Sequence, residues 1–138
     1  MASGFEITDH TADIGLRAWG KDVRDAFVQA ATGLFSIICD LDEVQERESR
    51  EVSVSAEERE DLLVDWLSEM LYLFDAELLL LRRFDIKSLQ DGKLTATVYG
   101  ETAEPGRHHI KLGVKAVTYH QLRVEERDGC QVEVIFDI

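Results

Sequence analysis

The chain has 138 residues, of which 45% are hydrophobic, so it can build one substantial core but is too short for two ordinary domains. Its 28 acidic residues outnumber its 15 basic residues, and the formal net charge is −13. This balance argues against tight direct binding to nucleic acid, which depends on clustered Lys and Arg. It leaves two interpretations: simple solubility, or docking on a basic protein.

One domain over residues 1–138, without a membrane segment, is therefore the expected organisation. No apolar run approaches the length of a membrane span, and residues 1–6 lack the basic and apolar regions of a secretory signal, so we expect a cytoplasmic protein. Cys39 and Cys130 are far apart and belong to no CxxC pair. Since both stand beside apolar residues, we predict two buried thiols and not a disulfide.

The N-terminal part of the chain predicts two strands and a helix. Alternating apolar residues predict strands over residues 5–8 and 14–19, joined by a polar turn over residues 9–13. Apolar residues then recur every three or four positions, which predicts an amphipathic helix from an Asp22 cap to about Cys39.

The middle of the chain predicts a loop, a strand and a second helix. The loop covers residues 40–50, and the strand covers residues 51–55. Ser55 and Glu58 have the spacing of a capping box, in which each side chain bonds the other residue's backbone N–H group, so we predict that the helix begins here and runs to about Glu77. Its stripe of large apolar residues around Trp66 is typical of a core-facing helix.

The rest of the chain predicts strands and no further helix. Alternation predicts extended segments over residues 81–89, 94–100, 114–124 and 131–137, with a loop over residues 101–107. Asp91-Gly92 and Asp128-Gly129 are typical of tight hairpin turns, in which Gly adopts the positive φ that a type I′ turn requires. The predicted fold class is α+β: mostly antiparallel sheets of about seven strands packed with two amphipathic helices.

Two polar segments contain side chains that packing alone does not explain. The turn over residues 9–13 could bind a ligand, although side chains that bond their own backbone also explain such a turn. His108 and His109 are adjacent, so in a strand they would point to opposite faces, and a shared zinc ion is disfavoured. Lys115, Tyr119 and His120 form a small basic and aromatic island in an acidic chain, which makes them a candidate contact surface.

A third polar spot lies at residues 136–138. The Asp137 side chain and the α-carboxylate of Ile138 place two carboxylates within two residues, directly after a predicted strand. A third carboxylate nearby would create an all-oxygen site for a hard cation such as Mg, Ca or Mn. The alternative is an ordinary frayed end.

Taken together, these segments resemble the archease family. The resemblance is carried by His10-Thr11-Ala12-Asp13-Ile14-Gly15-Leu16, Lys115-Ala116-Val117-Thr118-Tyr119-His120 and Val134-Ile135-Phe136-Asp137-Ile138. Residues 62–74 around Trp66 also look like the second helix of that family. The match spans essentially the whole chain, in order and at family length.

The resemblance implies an archease fold and a non-catalytic accessory function. Archeases assist the tRNA-splicing RNA ligase of the 2′,3′-cyclic phosphate or 3′-phosphate type: they promote ligase guanylylation and multiple turnover, and they broaden nucleotide use. They bind a divalent cation, with calcium foremost and Mg or Mn as alternatives, through an acidic cluster. Here that implies Asp13, Asp137 and a terminal oxygen of Ile138 as metal ligands. His10, Lys115 and His120 are the implied contacts to the partner or its nucleotide.

Two other classes of function remain open from the sequence. His10, Asp13 and Asp137 could activate a water in a metal-dependent phosphoester hydrolase. A general protein chaperone is the other alternative, since the family fold has been likened to that of a redox-regulated heat-shock chaperone. This sequence, however, lacks the cysteine cluster that such redox control needs.

Overall fold

The computed structural model describes residues 2–9 and 12–138, and within them eight strands form two antiparallel sheets. The first sheet contains β1 (Gly4–Asp9), β2 (Asp13–Gly20), β6 (Ala116–Val117), β7 (Arg123–Glu125) and β8 (Cys130–Asp137). The second sheet contains β3 (Glu48–Ser55), β4 (Leu79–Gln90) and β5 (Lys93–Thr102).

Strand β8 runs through the middle of the first sheet. It pairs with β2 on one side and with β6 and β7 on the other, while β1 lies outside β2. In the second sheet β5 is central and pairs with β3 and β4. The first sheet therefore joins residues from both ends of the sequence.

Two helices, α1 (Val23–Ile38) and α2 (Arg59–Glu77), cover the apolar faces of these sheets. Helix α1 contacts β2 and β8 of the first sheet and β4 of the second, so one helix serves both sheets. The buried indole Nε1 of Trp66 donates a 2.9 Å hydrogen bond to the carbonyl oxygen of Phe27, which ties α2 to α1. Phe84 of β4 completes this centre, with ring centroids 6.0 Å from Phe35 and 6.3 Å from Trp66.

Most of the predicted framework is confirmed. The fold is α+β with antiparallel sheets and two helices that bury one face each. Asp22 caps α1, because its Oδ1 accepts a 2.8 Å bond from the backbone N of Asp25. Asp91 and Gly92 adopt φ of 53° and 73° in the β4–β5 turn, and a Cβ on Gly92 would lie 2.5 Å from the carbonyl oxygen of Ala56.

Three local predictions are wrong. Ser55 does not cap α2: it is the last residue of β3 and pairs with Lys93, while Glu58 holds the cap position without a side-chain bond. Strand β3 begins at Glu48, inside the predicted loop, and β5 runs to Thr102, because the sheet ladder extends beyond the alternating apolar residues. Residues 114–124 are not continuously extended, since a turn over residues 118–122 separates β6 from β7.

The cysteine prediction is confirmed, since Cys39 and Cys130 are both buried and unbonded to each other. Burial raises the pKa of each thiol to about 11, so both stay protonated at neutral pH. Among the described residues, neither α1 nor α2 combines the length and apolar character needed to cross a membrane.

Candidate metal and partner-contact site

The pairing of β2 with β8 places Asp13 directly opposite Asp137. Opposite residues of an antiparallel pair point to the same face, with Cβ atoms about 5 Å apart. The next residue of β2, Ile14, is only 6% exposed and faces the core, as does Phe136, its partner in β8. By alternation, both carboxylates therefore lie on the face of the sheet that points away from the helices.

Asp13 and Asp137, here called the acidic pair, carry like charges that repel each other. The Oδ1 atom of Asp13 is buried and has no hydrogen-bond partner among the residues that the structure describes. A buried unsatisfied acceptor costs about 1–3 kcal/mol, and like charges directly opposite each other in a sheet add to the cost. A hard cation would offset both costs, because carboxylate oxygens are its preferred ligands. The residues present therefore fit a divalent cation.

The far end of β8 is held in place. The carbonyl oxygen of Asp137 accepts a 2.8 Å hydrogen bond from the backbone N of Lys115, and Asp137 also pairs with Ala116 in the β6–β8 ladder. Ile138 is partly buried against the core. The strand end is therefore not frayed, and Asp137 keeps a fixed position beside Asp13.

The predicted contact residues lie on the other side of β8. Lys115 is exposed one residue before β6, and its backbone bond to Asp137 fixes it next to the acidic pair. His120 is exposed beyond β6, where the hydroxyl of Thr118 accepts a 3.2 Å bond from the backbone N of His120. Thr118 is anchored in turn, because its hydroxyl donates a 2.8 Å bond to the carbonyl oxygen of Ile135.

Tyr119 stands exposed on the same turn. Its side chain is 59% exposed, and the nearby Asp61 carboxylate raises the pKa of its phenol. Tyr119 therefore lies near the start of α2. Gln121 closes the turn with φ of 53°, the left-handed conformation that interrupts the extended backbone predicted here.

The predicted site residues are thus only partly brought together. The sheet places Asp13 opposite Asp137, a backbone bond holds Lys115 next to Asp137, and His120 stands at the other end of the short strand β6. His10 lies outside the described residues. The described residues contain no group of three or more His, Cys, Asp or Glu side chains that could hold a metal ion.

Sequence reasoning missed an ionic ladder on the same outer face. Arg17 donates to Glu6 at 2.7 Å and to Glu133 at 2.9 Å, and Arg123 donates to Glu133 at 3.1 Å, so charges alternate across four strands. Beside it lies a cavity of about 260 Å³, bounded in part by Gly15 and Gln121. Alternation along β2 predicts that Arg17 lies on the outer face, but it does not show which residues Arg17 bonds with.

A larger cavity lies elsewhere. It has a volume of about 670 Å³, and its lining includes Lys21, Arg59, Phe84 and Glu126. None of the predicted site residues that the structure describes borders it. The cavity and the acidic pair therefore lie in different places, and the acidic pair contains the buried oxygen that has no partner among the described residues.

Sequence reasoning also missed a buried charge cluster at the end of β5. Glu101 is 2% exposed and accepts hydrogen bonds from Arg107 Nη2, from His108 Nε2 at 3.0 Å and from the backbone N of Gln45 at 2.7 Å. These partners, Arg107 foremost, lower the pKa of Glu101 to about 2. His108 is buried and His109 exposed, so the two imidazoles do not converge on one point.

Comparison with known proteins agrees with this fold. The model of the Archease protein family matches residues 5–138. Protein archease of Pyrococcus abyssi is 41% identical over 125 residues, covering 88% of each chain, and that of Methanothermobacter thermautotrophicus is 39% identical over 139 residues, covering 98% of this chain and 99% of the relative.

Two solved structures share the architecture. The solution structure of Methanobacterium thermoautotrophicum protein 1598 is 38% identical, with a TM-score of 0.85 and coverage of 98% of this chain and 99% of that one. The crystal structure of an archease, a possible chaperone, from Thermotoga maritima is 24% identical, with a TM-score of 0.59 and coverage of 95% and 94%, and shows likeness of fold. The family match and the identity over nearly the full length of both chains establish that this chain belongs to the archease family.

Proposed function

We propose that the protein is a non-catalytic activator of the tRNA-splicing RNA ligase and that it promotes ligase guanylylation and multiple turnover. The observation that carries this proposal is the acidic pair, in which Asp13 and Asp137 face each other and Asp13 keeps one buried oxygen without a partner. A buried acceptor without a partner calls for an explanation, and a bound cation supplies one.

The ion that the acidic pair would take is a hard divalent cation, with calcium foremost and Mg or Mn as alternatives. Asp13 and Asp137 would hold it, with a terminal oxygen of Ile138 as a further ligand. The ion would supply positive charge between two carboxylates that otherwise repel each other. The chain's own contribution is to hold both carboxylates on adjacent strands, so little ordering is needed when the ion binds.

Docking on the ligase would use the groups around this pair. The chain carries a net charge of −13, which favours encounter with a basic surface such as that of an RNA- and GTP-binding protein. Lys115, whose backbone is bonded to Asp137, and His120, at the other end of β6, are exposed donors that would meet phosphate or carboxylate oxygens. His10 is a third contact residue of the proposal.

A guanylylation assay tests the proposed function. Transfer of GMP from GTP to the ligase is followed with no added protein, with the wild type and with Asp13→Asn, which keeps the shape of the side chain but removes its charge. The matched control is Asp91→Asn, an acidic residue in the β4–β5 turn whose positive φ Asn tolerates. We expect acceleration by the wild type and by the control but not by Asp13→Asn.

The same preparation separates the alternatives. The wild type without ligase should leave phosphoester substrates intact, and it should not protect unrelated proteins from aggregation. Turnover of a phosphoester that disappears in Asp13→Asn would support a hydrolase instead. General protection of unfolded clients, with no effect on the ligase, would support a chaperone.

A further inference from the structure

The segment between β5 and β6, residues 103–115, carries Lys115 to the acidic pair without regular structure of its own. Only two of its residues, His108 and Val114, are buried. Val114 directly precedes Lys115, whereas His108 lies in the first half of the segment. An irregular segment is ordered by its few buried anchors and by its hydrogen bonds to the rest of the protein. His108 is therefore one of two buried anchors for this segment.

His108 uses both ring nitrogens as an anchor. Its Nδ1 accepts a 2.8 Å hydrogen bond from the backbone N of Glu104, so the proton of the neutral ring resides on Nε2. The Nε2 atom lies 3.0 Å from Oε2 of Glu101 and 3.1 Å from the carbonyl oxygen of Glu43. The ring thus joins the segment to the end of β5 and to the short helical turn at Leu41–Glu43.

Arg107 strengthens the same anchor. Its guanidinium bonds the Glu101 and Glu104 carboxylates and donates a 3.2 Å bond to the carbonyl oxygen of Glu43. Together Glu101, Arg107 and His108, here called the buried cluster, fix the beginning of the segment to two separate parts of the fold.

The path from the buried cluster to the acidic pair is short and sparsely supported. After His108, the backbone N of Lys111 donates a 2.7 Å bond to the carbonyl oxygen of Ile38, and Ile110 forms a single bridge with Cys39. The next backbone bond to another part of the fold is that of Lys115 to Asp137. With so few intermediate bonds, loosening the first anchor should loosen the last.

We propose that the buried cluster is a positioning site, which holds the segment so that Lys115 and the end of β8 stay in register beside Asp13. Its effect on the ligase rests on the proposed function, but its effect on the segment does not. None of the three residues touches the acidic pair directly. The cluster would act through the backbone that it anchors.

Variants at two adjacent histidines test this proposal. His108→Leu removes the hydrogen bonds of both ring nitrogens and fills the buried position with an apolar side chain of similar bulk. His108→Gln retains one acceptor and one donor and serves as the conservative rescue. His109→Leu is the matched control, because His109 is exposed in the same segment and outside the buried cluster.

The first measurement is amide hydrogen exchange, read at Lys115 and compared with amides in the middle of α1. We expect His108→Leu to accelerate exchange at Lys115 by roughly tenfold or more, while exchange in α1 stays within about threefold of the wild type. His108→Gln should restore most of the protection, and His109→Leu should match the wild type. A loss of stability alone would accelerate the amides of α1 equally.

The second measurement is the concentration of protein that gives half-maximal ligase guanylylation. We expect His108→Leu to raise it by roughly tenfold, since fewer molecules present Lys115 correctly, and His108→Gln to restore it. Unchanged exchange at Lys115 in folded His108→Leu, or equal acceleration throughout α1, would overturn the positioning role. If the wild type does not stimulate the ligase, the proposed function is overturned instead. The exchange comparison alone then decides the positioning role.

Discussion

Two groups of carboxylates in this protein are built in opposite ways. Glu101 is buried but surrounded by donors, and its pKa is held at about 2. Asp13 faces another carboxylate, and one of its oxygens is buried without a donor among the described residues. The satisfied carboxylate holds the fold together, whereas we propose that the unsatisfied one binds a cation. Under this proposal, hydrogen-bond satisfaction separates the two acids better than burial does.

The largest effect should come from Asp13→Ala. We expect ligase activation and calcium binding to be lost, because one of two side-chain ligands is gone. The ion-free protein should be no less stable than the wild type and could gain about 0.2–1 kcal/mol, since the substitution relieves repulsion across the β2–β8 pair. Calorimetric calcium titration and a urea melt without divalent ions measure both. A folded Asp13→Ala protein that activates the ligase fully would refute the assignment of the acidic pair.

Arg107→Ala should act in the opposite direction on stability. Removing the principal donor to Glu101 leaves a buried charge without its partner, which costs about 3–5 kcal/mol when the pair is well buried. Since Arg107 is itself partly exposed, the lower end of that range is expected. Urea unfolding of this variant beside Arg83→Ala, which breaks the exposed bridge to Glu46, gives the contrast. Similar losses in both variants would mean that the burial of Glu101 adds nothing to the cost of losing its arginine partner.

A C-terminal extension should damage only the acidic pair. A tag after Ile138 converts the terminal carboxylate to a neutral amide and crowds the end of β8, while the same tag before Met1 leaves this corner unchanged. We expect weaker calcium binding and weaker ligase activation with the C-terminal tag, at unchanged melting temperature. Equal binding and activation by the two tagged proteins would refute the terminal ligand, although not the role of Asp13.

Acid should weaken the buried cluster within a defined pH window. The pKa of Glu101 is about 2 in the folded protein against an ordinary value of 4.5, so its contribution to stability is present above pH 4.5 and is lost as the pH falls toward 2. The difference in unfolding free energy between wild type and Glu101→Gln should therefore shrink from pH 5 to pH 2. A difference that is constant across this window would show that ionisation of Glu101 does not matter.

The smallest effect is expected from Lys115→Ala. This substitution should weaken ligase activation but leave calcium affinity unchanged, because an ammonium group offers no oxygen to a cation. The backbone bond from residue 115 to Asp137 survives the change. Calcium titration and the guanylylation assay, run beside the exposed control Lys93→Ala, separate the two functions. Loss of calcium binding in Lys115→Ala would mean that contact and metal residues cannot be distinguished.

The sequence predicted the parts of the fold that depend on local periodicity. The apolar stripes of α1 and α2, the cap at Asp22 and the turn at Asp91-Gly92 all follow from neighbours in the chain. The capping box at Ser55 failed because the β3–β5 ladder competes for that residue, a competition that only tertiary structure reveals.

The site was less predictable, because its pieces come from distant segments. Residue types could suggest that Asp137 binds a cation, and the family resemblance added Asp13, but only the strand register shows that the two are opposite. The buried cluster gave no sequence signal, since Glu101 was assigned to a loop and His108 was considered only as a zinc ligand. Burial of a charged residue depends on partners, here Gln45 and Arg107, that periodicity cannot assign.

The central position of β8 has a consequence for biosynthesis. Because β8 lies between β2 and β6, the nascent chain must expose the inner edge of β2 until residues 130–137 have left the ribosome. Contacts such as Arg17 to Glu133, 116 positions apart, close late and slowly. A product truncated before β8 would display an unpaired strand edge and be prone to aggregation, and it would lack half of the acidic pair. The acidic pair therefore forms only after residue 137 has been synthesised.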